Sequence, residues 1–445
     1  MSLLRWPVCI VLALVLAACG PAQSPAPAQS PTSTSRKPLP QARCSIEIAR
    51  AHMQQRSPMK KGDEKDCSTQ CAGGDQGGCV ALVLLHLEGL LTMKDPVEAA
   101  RLFETACNAA YAPGCTHLAA VETDEARAAA LYTKGCDGGD APGCGNLGAL
   151  YVKGRGVPKD EARAAALYTK ACDGGDTPGC FKLGVQYVQG RGVAKDEARA
   201  ATLYAKACDG GDTPGCFKLG VMYAQGRGVA KDEARAATLY TKACDGGHAQ
   251  GCDHLGVLYA QGQGVAKDEA RAADLYTKGC DGGYTPGCVR LGVLYKHGRG
   301  VAKDGARAAA LYTKACDMGF FPGCSNLGTL HEQGDGVPKH EARAAALYTK
   351  ACDGGHAIGC SNLGFLYAQG QGVAKDEARA VALYAKACDG DDARACFNLG
   401  VLYAQGRGVA KDDARAAAAY ARGCELGDQN SCAKAPGHPA DASKQ

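Results

Sequence analysis

The chain has 445 residues, the length of about three average globular domains, but its composition is unusual. Glycine contributes 60 residues and cysteine 26, whereas seven Phe and one Trp are too few for a large aromatic core. The formal net charge of +4, spread over the whole chain, excludes the basic field that nucleic-acid binders need.

The first segment of the chain has the pattern of an export signal. An apolar run over residues 8–18 follows Arg5 and is too short to cross a bilayer as a permanent helix. The run ends in Leu-Ala-Ala-Cys-Gly, which resembles the lipobox of bacterial lipoproteins. This pattern predicts a signal peptide over residues 1–18 and acylation of Cys19. An ordinary signal peptide with a chance cysteine is the alternative interpretation.

Residues 19–42 are rich in Pro, Ala, Ser and Gln and predict a semi-extended tether between the lipid anchor and the folded part. Gly20 stands where an Asp would signal inner-membrane retention in enteric-type sorting. The expected location is therefore the bacterial cell envelope, at the outer membrane or in the periplasm rather than outside the cell.

Beyond the tether, cysteine recurs every 36 residues in two series that run eight residues apart. A period of this size indicates one supersecondary unit per repeat, stacked on its neighbours as a solenoid. We expect degenerate repeats over residues 43–114, regular repeats over 115–432 with the first one shortened, and a disordered tail over 433–445. The eleven C-x(7)-C pairs are Cys71 and Cys79, Cys107 and Cys115, Cys136 and Cys144, Cys172 and Cys180, Cys208 and Cys216, Cys244 and Cys252, Cys280 and Cys288, Cys316 and Cys324, Cys352 and Cys360, Cys388 and Cys396, and Cys424 and Cys432.

Each regular repeat predicts two helices. In residues 212–247, Asp212 can cap a first helix whose apolar side chains recur at i, i+3, i+4 and i+7 from Cys216. A connector with two glycines follows, Asp232 can cap the second helix, and a diglycine ends it. The sequence therefore predicts an all-α chain past residue 43, built of helical hairpins.

The C-x(7)-C pair spans the short turn between one repeat's second helix and the next repeat's first helix. A disulfide at this turn would compensate for the shortage of Phe and Trp, because it restricts the unfolded chain. Zinc and thioredoxin-type redox chemistry are weaker alternatives, since the sequence has no CxxC and its ten His are scattered. We predict no metal and no cofactor, and a further disulfide between Cys44 and Cys67.

The repeat resembles the Sel1-like repeat family, and the added cysteine pair resembles its Hcp-like secreted subgroup. The resemblance covers about residues 65–432, and the Gly-x-Gly-Val connector occurs eight times. It implies an α/α solenoid related to tetratricopeptide arrays. It rests, in one copy, on Gly226, Gly228, Val229, Asp232, Ala236, Tyr240, Ala243, Leu255, Gly256 and Tyr259.

The resemblance implies two functions. Members of the wider family act as scaffolds that hold proteins or peptides together, whereas the Hcp-like subgroup has also been named for penicillin binding and weak β-lactamase activity. A serine β-lactamase needs S-x-x-K with separate S-D-N and K-T-G elements. The chain has one S-x-x-K, from Ser57 to Lys60, with a helix-breaking Pro58 inside it and neither of the other elements. The scaffold is therefore the favoured function.

A scaffold's binding surface should lie at positions that differ between repeats. Two such groups occur, one after each diglycine and one just after the second cysteine. First helices usually line the concave side of stacked hairpins, so the second group predicts a groove for a protein, peptide or peptidoglycan-derived ligand. The alternative is that its Phe side chains pack between repeats. The candidate groove residues are Phe181, Phe217, His254, Arg290, Asn326, Asn362 and Phe397.

Overall fold

The computed structural model describes residues 96–435, together with Thr69, Gly73 and Gly78. The predicted signal peptide, Cys19, the tether, Ser57 and the cysteines from Cys44 to Cys79 lie outside the described residues, as does the chain after residue 435. The described part contains twenty helices and no strand, packed as consecutive hairpins, which confirms the predicted α/α solenoid fold. None of these helices has the length and apolarity that a membrane crossing requires.

The chain divides into two compact units, Met1–Asp232 and Glu233–Gln445. The helices of the first unit are α1 (Pro96–Asn108), α2 (Ala112–Val121), α3 (Glu125–Asp137), α4 (Ala141–Lys153), α5 (Glu161–Asp173), α6 (Thr177–Gln189), α7 (Glu197–Asp209) and α8 (Thr213–Gln225). Those of the second unit are α9 (Glu233–Asp245), α10 (Ala249–Gln261), α11 (Glu269–Asp281), α12 (Thr285–His297), α13 (Gly305–Asp317), α14 (Phe321–Gln333), α15 (Glu341–Asp353), α16 (Ala357–Gln369), α17 (Glu377–Asp389), α18 (Ala393–Gln405), α19 (Asp413–Glu425) and α20 (Gln429–Cys432).

Local side chains set the ends of the helices. Asp160 begins α5 by accepting a 2.8 Å hydrogen bond from the backbone N–H of Arg163, and Asp140 begins α4 in the same way through Gly143. Gly154 ends α4 with a φ of 66°, in the left-handed region that favours glycine. The residues that the sequence offers as caps and turns therefore define the hairpin.

The connector between α4 and α5 packs on the preceding hairpin. Gly156 lies against the backbone carbonyl of Glu125 at the start of α3, where a Cβ would overlap with that carbonyl. Beside it, the Arg155 guanidinium forms a 2.7 Å ion pair with the Glu125 carboxylate. These contacts join consecutive hairpins along their connector side.

Tyrosine supplies aromatic packing in this core, although the sequence has few Phe and Trp residues. Each second helix from α3 to α19 buries a tyrosine ring, and several of these rings lie against a glycine of the preceding first helix, as Tyr168 does against Gly148. Glycine at that position therefore makes room for an aromatic ring. The buried tyrosines are Tyr132, Tyr168, Tyr204, Tyr240, Tyr276, Tyr312, Tyr348, Tyr384 and Tyr420.

Disulfides lie at the junctions between repeats. Ten are present in residues 96–435, each between cysteines eight residues apart with Cα atoms 4.5 to 4.7 Å from each other. Most of these cysteines are buried and pack against an alanine of the next second helix, as Cys136 and Cys144 pack against Ala171. Each bond thus closes a junction turn and also contributes to the core.

One hairpin of the first unit is shorter than the others. Helix α2 has 10 residues, whereas the first helices of the regular hairpins have 13. Only residues 122–124 connect it to α3, in place of the seven-residue connector, 154–160, between α4 and α5. This hairpin therefore lacks the Gly-x-Gly turn.

Candidate partner-binding cleft

A cleft of about 580 Å³ lies in the first unit, along the first helices α2, α4 and α6. Its apolar lining comes mainly from Ala119, Ala149, Leu150 and Val152. The short loop after α2 contributes Glu122 and Thr123 to its wall. The cleft is thus bordered by the hairpin that lacks the regular connector.

Two lysines line this cleft without an ion pair. Lys153 ends α4 and Lys182 lies in the first turns of α6, and neither ammonium has a carboxylate within 4.0 Å among residues 96–435. Burial lowers the pKa of Lys182, the Asp176 carboxylate opposes that change, and the Lys153 ammonium adds to it. The Nζ atom of Lys182 also lies 5.6 Å from the centre of the Tyr168 ring.

The buried carboxylate of Asp176 acts on the charge of Lys182, which lines the cleft. Its side chain is 5% exposed and lies over Gly145, where a Cβ would come within 2.5 Å of Oδ2. Burial raises the pKa of Asp176 to about 6, and the Lys182 ammonium opposes that change. Below pH 6, Asp176 therefore offers Lys182 little negative charge.

A smaller cavity of about 210 Å³ adjoins the cleft and shares Val152, Tyr168 and Lys182 with it. Its apolar lining includes Phe181 and Val185. The two cavities therefore place two cationic groups and an apolar recess side by side on α4 and α6.

Gln186 lines the smaller cavity and is an exception in the repeat. It is 5% exposed, and its Oε1 has no hydrogen-bond partner in the described part of the chain. A buried carbonyl without a donor is destabilising, and nearly all such groups in proteins are paired. The corresponding residues of the other regular first helices are Leu150, Met222, Leu258, Leu294, Leu330, Leu366 and Leu402.

The sequence analysis did not identify Gln186 or Lys153. Both are departures from the repeat, since Lys153 stands where six other regular first helices have Gln and one has His. A comparison of the copies position by position would have found them.

The predicted groove residues of the first unit have different environments. Phe181 lines the smaller cavity, with its ring 5.7 Å from the Tyr204 ring. Phe217 is 6% exposed and belongs to the buried side of α8, so it packs rather than faces a ligand.

In the second unit, Arg290 forms an ion pair with Asp253 of the preceding repeat. Asp253 is 0% exposed and Arg290 is 42% exposed, so one charge is buried and the other reaches solvent. Burial raises the pKa of Asp253, and the Arg290 guanidinium opposes that change. This pair joins two repeats, and Asp253 is one of the positions just after the second cysteine that differ between repeats.

The four other predicted groove residues also lie in the second unit. Nδ1 of His254 donates a 2.9 Å hydrogen bond to the Gln250 carbonyl, and the Phe397 ring lies 5.9 Å from the Tyr420 ring. Asn326 and Asn362 are half-buried. None of these four residues, nor Arg290 or Phe217, lines the cleft or the smaller cavity of the first unit.

The residues proposed for other chemistry lie outside the described part of the chain. This applies to Cys19 and to the S-x-x-K segment from Ser57 to Lys60. Within residues 96–435, no group of three or more His, Cys, Asp and Glu side chains is placed to hold a metal ion.

Solved structures of bacterial repeat proteins are similar to this chain. A protective antigen present in uropathogenic Escherichia coli strains, displaying an SLR fold, is 29% identical over 83% of this chain and 81% of its own, with a TM-score of 0.71. A Sel1 repeat protein from Oxalobacter formigenes is 25% identical over 68% of this chain and 87% of its own, with a TM-score of 0.55. Helicobacter pylori cysteine rich protein B is 32% identical over 29% of this chain and 97% of its own, with a TM-score of 0.25.

A comparison of the sequence with curated proteins found no match. The family model described as Sel1 repeat matches ten segments, residues 80–111, 117–140, 141–176, 177–212, 213–248, 249–284, 285–320, 322–356, 357–392 and 393–428. These segments cover most of the chain and follow the hairpins of the structure. The chain therefore belongs to the Sel1 repeat family.

Proposed function

We propose that this protein is a lipid-anchored scaffold of the bacterial cell envelope and that it binds a protein partner in the cleft of its first unit. Solenoids of Sel1 repeats are generally protein-interaction scaffolds. This membership favours binding over the hydrolase alternative.

One observation supports the choice of this cleft as the binding surface. The cleft is lined by Lys153 and Lys182 over an apolar floor, with no carboxylate within 4.0 Å of either ammonium among the described residues. Burial lowers the pKa of Lys182 and the Lys153 charge adds to this change, so an anion bound beside the two lysines would be stabilised. An acidic segment of a partner protein would supply that anion and cover the apolar floor.

The proposed location rests on the cysteines. Ten disulfides suggest an oxidising, extracytoplasmic compartment, because such bonds are rare in reducing cytosol. The lipobox at Cys19 supports an anchored protein, and the segment over residues 19–42 would then separate the solenoid from the membrane.

Site-specific photocrosslinking in the native envelope tests the proposed surface. A photoreactive amino acid at Asn146, which lines the cleft, should yield a covalent adduct with a partner protein. The same replacement at Asn326, the equivalent repeat position in the second unit, is the matched control and should yield none.

Charge reversal completes the test. The double variant Lys153→Glu, Lys182→Glu should abolish the adduct at position 146, because it would repel an acidic segment. An adduct that persists in this variant, or that forms at position 326 and not at 146, would show that the partner binds elsewhere.

A further inference from the structure

We propose that the cleft and the smaller cavity together recognise an extended peptide in which a carboxylate lies two residues from an apolar side chain. The carboxylate would lie between Lys153 and Lys182, the apolar side chain in the smaller cavity, and a backbone N–H between them would donate to Gln186. This inference rests on the proposed function, because it specifies the chemistry of the partner's segment.

The charge preference follows from the two lysines that line the cleft without an ion pair. Lys159 and Lys195 form ion pairs of 3.0 and 3.3 Å with Glu161 and Glu197, so their charges are compensated within the chain. Lys153 and Lys182 have no such partner in residues 96–435, and Lys182 is half-buried. A carboxylate between these two ammonium groups would form charge-assisted hydrogen bonds to both.

Gln186 supplies a second and independent indication of a ligand. Its Oε1 is buried and lacks a donor, and the residue lines the smaller cavity at a position where every other regular first helix of the described chain carries Leu or Met. A polar side chain at such a position is destabilising unless a donor reaches it. Every peptide offers a backbone N–H, so a bound segment would satisfy this oxygen.

The smaller cavity determines the third feature of the segment. Its volume of about 210 Å³ and its lining by Val152, Phe181 and Val185 fit one side chain of the size of Leu or Phe. In an extended peptide, residues i and i+2 point to the same face and lie about 7 Å apart. Since the cavity shares Lys182 with the cleft, we assign the acidic and apolar side chains to positions i and i+2.

Fluorescence anisotropy with the purified full chain, oxidised, tests the inference. The probe is a labelled peptide with Glu-Ser-Leu between Gly/Ser flanks, acetylated and amidated so that Glu carries its only charge. Replacing Glu with Gln, or Leu with Ser, should each weaken binding at least tenfold. A further peptide lacks Glu and ends in a free C-terminus two residues after Leu, so that this terminal carboxylate is its only one. Its affinity distinguishes recognition of a terminal carboxylate from recognition of a side-chain carboxylate.

Variants of the chain link this binding to the assigned residues. Lys182→Asn should weaken binding of the Glu-Ser-Leu probe at least tenfold, whereas Lys218→Asn, at the equivalent position of the next repeat, should leave it unchanged. Gln186→Leu should weaken binding while raising the midpoint of thermal unfolding, because it restores the residue of the other repeats and removes an unpaired oxygen. A purely structural role for Gln186 would change stability and leave binding unaffected.

The outcomes separate this inference from the proposed function. Equal affinity for the Glu and Gln peptides, unchanged binding by Gln186→Leu, or no binding of any peptide at millimolar concentration would overturn the inference. If the adduct at position 146 still forms in that case, the cleft binds a partner of other chemistry and the proposed function stands. Loss of that adduct with retained peptide binding would instead overturn the proposed function alone.

Discussion

In this protein, small residues make room for aromatic rings. In α12, a Cβ added to Gly292 would lie 2.5 Å from Cε1 of Tyr312, whereas in α16 a Cβ on Gly364 would lie 3.1 Å from the same atom of Tyr384. Both glycines occupy the same position of the repeat, so the two sites differ mainly in the closeness of the ring. Tyrosine thus supplies the aromatic packing that Phe and Trp cannot.

This difference predicts that the same Gly→Ala substitution has different effects on stability at the two positions. Gly364→Ala should change the free energy of unfolding by less than about 1 kcal/mol, since the helix propensity of Ala offsets a mild contact. Gly292→Ala should destabilise the protein by about 1–3 kcal/mol, because the Tyr312 ring must move. Urea denaturation of both variants measures this, and equal stabilities would contradict the proposed ring packing.

Asp176 predicts a pH dependence of stability. Because burial raises its pKa to about 6 in the folded protein, the folded state holds a proton that the unfolded state releases near pH 4. Its contribution to stability is complete below pH 4 and is lost as the pH rises to about 6. The Asp176→Asn variant keeps a neutral side chain throughout, so its stability relative to wild type should rise by about 1–3 kcal/mol between pH 4 and 6 and then level off. Urea denaturation across this pH range measures the difference, and a constant difference would contradict a buried, neutral Asp176.

At the scale of elements, the sequence predicted much of the hairpin. Asp212 and the glycines at 226 and 246 lie at the helix ends that the pattern indicated, and α8 and α9 have the expected bounds, Thr213–Gln225 and Glu233–Asp245. Caps and left-handed glycines act locally, so residue identity is enough to locate them. The role of Tyr312 was not predictable in this way, because its partner Gly292 lies in another helix.

The candidate site was less predictable than the fold, for a physical reason. Variation between repeats directed attention to Phe181, which lines the smaller cavity, and equally to Phe217, whose ring is buried. Exposure depends on the neighbouring repeat, which a pattern within one repeat does not describe. Gln186 was the stronger signal, because a polar residue at a position of Leu and Met conflicts with the local pattern.

The disulfides predict local effects on stability. Replacing Cys244 and Cys252 with Ala should lower the free energy of unfolding by roughly 2–3 kcal/mol, since the bond closes a small loop. Because each repeat contacts mainly its neighbours, hydrogen exchange should accelerate in α9 and α10 and remain slow in α16 and α17. The pair Cys352 and Cys360 gives a matched variant, whose exchange should accelerate around its own junction instead. Uniform acceleration over all helices would contradict this nearest-neighbour behaviour.

At the scale of the whole molecule, the lipobox predicts where the protein resides. The Cys19→Ala variant should leave the detergent phase and appear in the soluble fraction, because it lacks the acylated side chain. Cys9→Ala changes a cysteine inside the predicted signal peptide and is the control, so it should leave the mature protein in the detergent phase. Detergent phase partitioning measures both, and membrane fractionation of Cys19→Ala would refute the anchor.

The position of the disulfides also determines how the protein responds to proteolysis. The turn at residues 245–247 is exposed, but it lies between Cys244 and Cys252, so a cut there leaves both sides joined by a covalent bond. The equally exposed connector at residues 261–264 lies outside every disulfide loop of the described chain, and a cut there separates the polypeptide. A protease that attacks junction turns would therefore leave a nicked chain of full apparent mass until a reductant is added. Such a scaffold would keep its partners attached in a protease-rich environment.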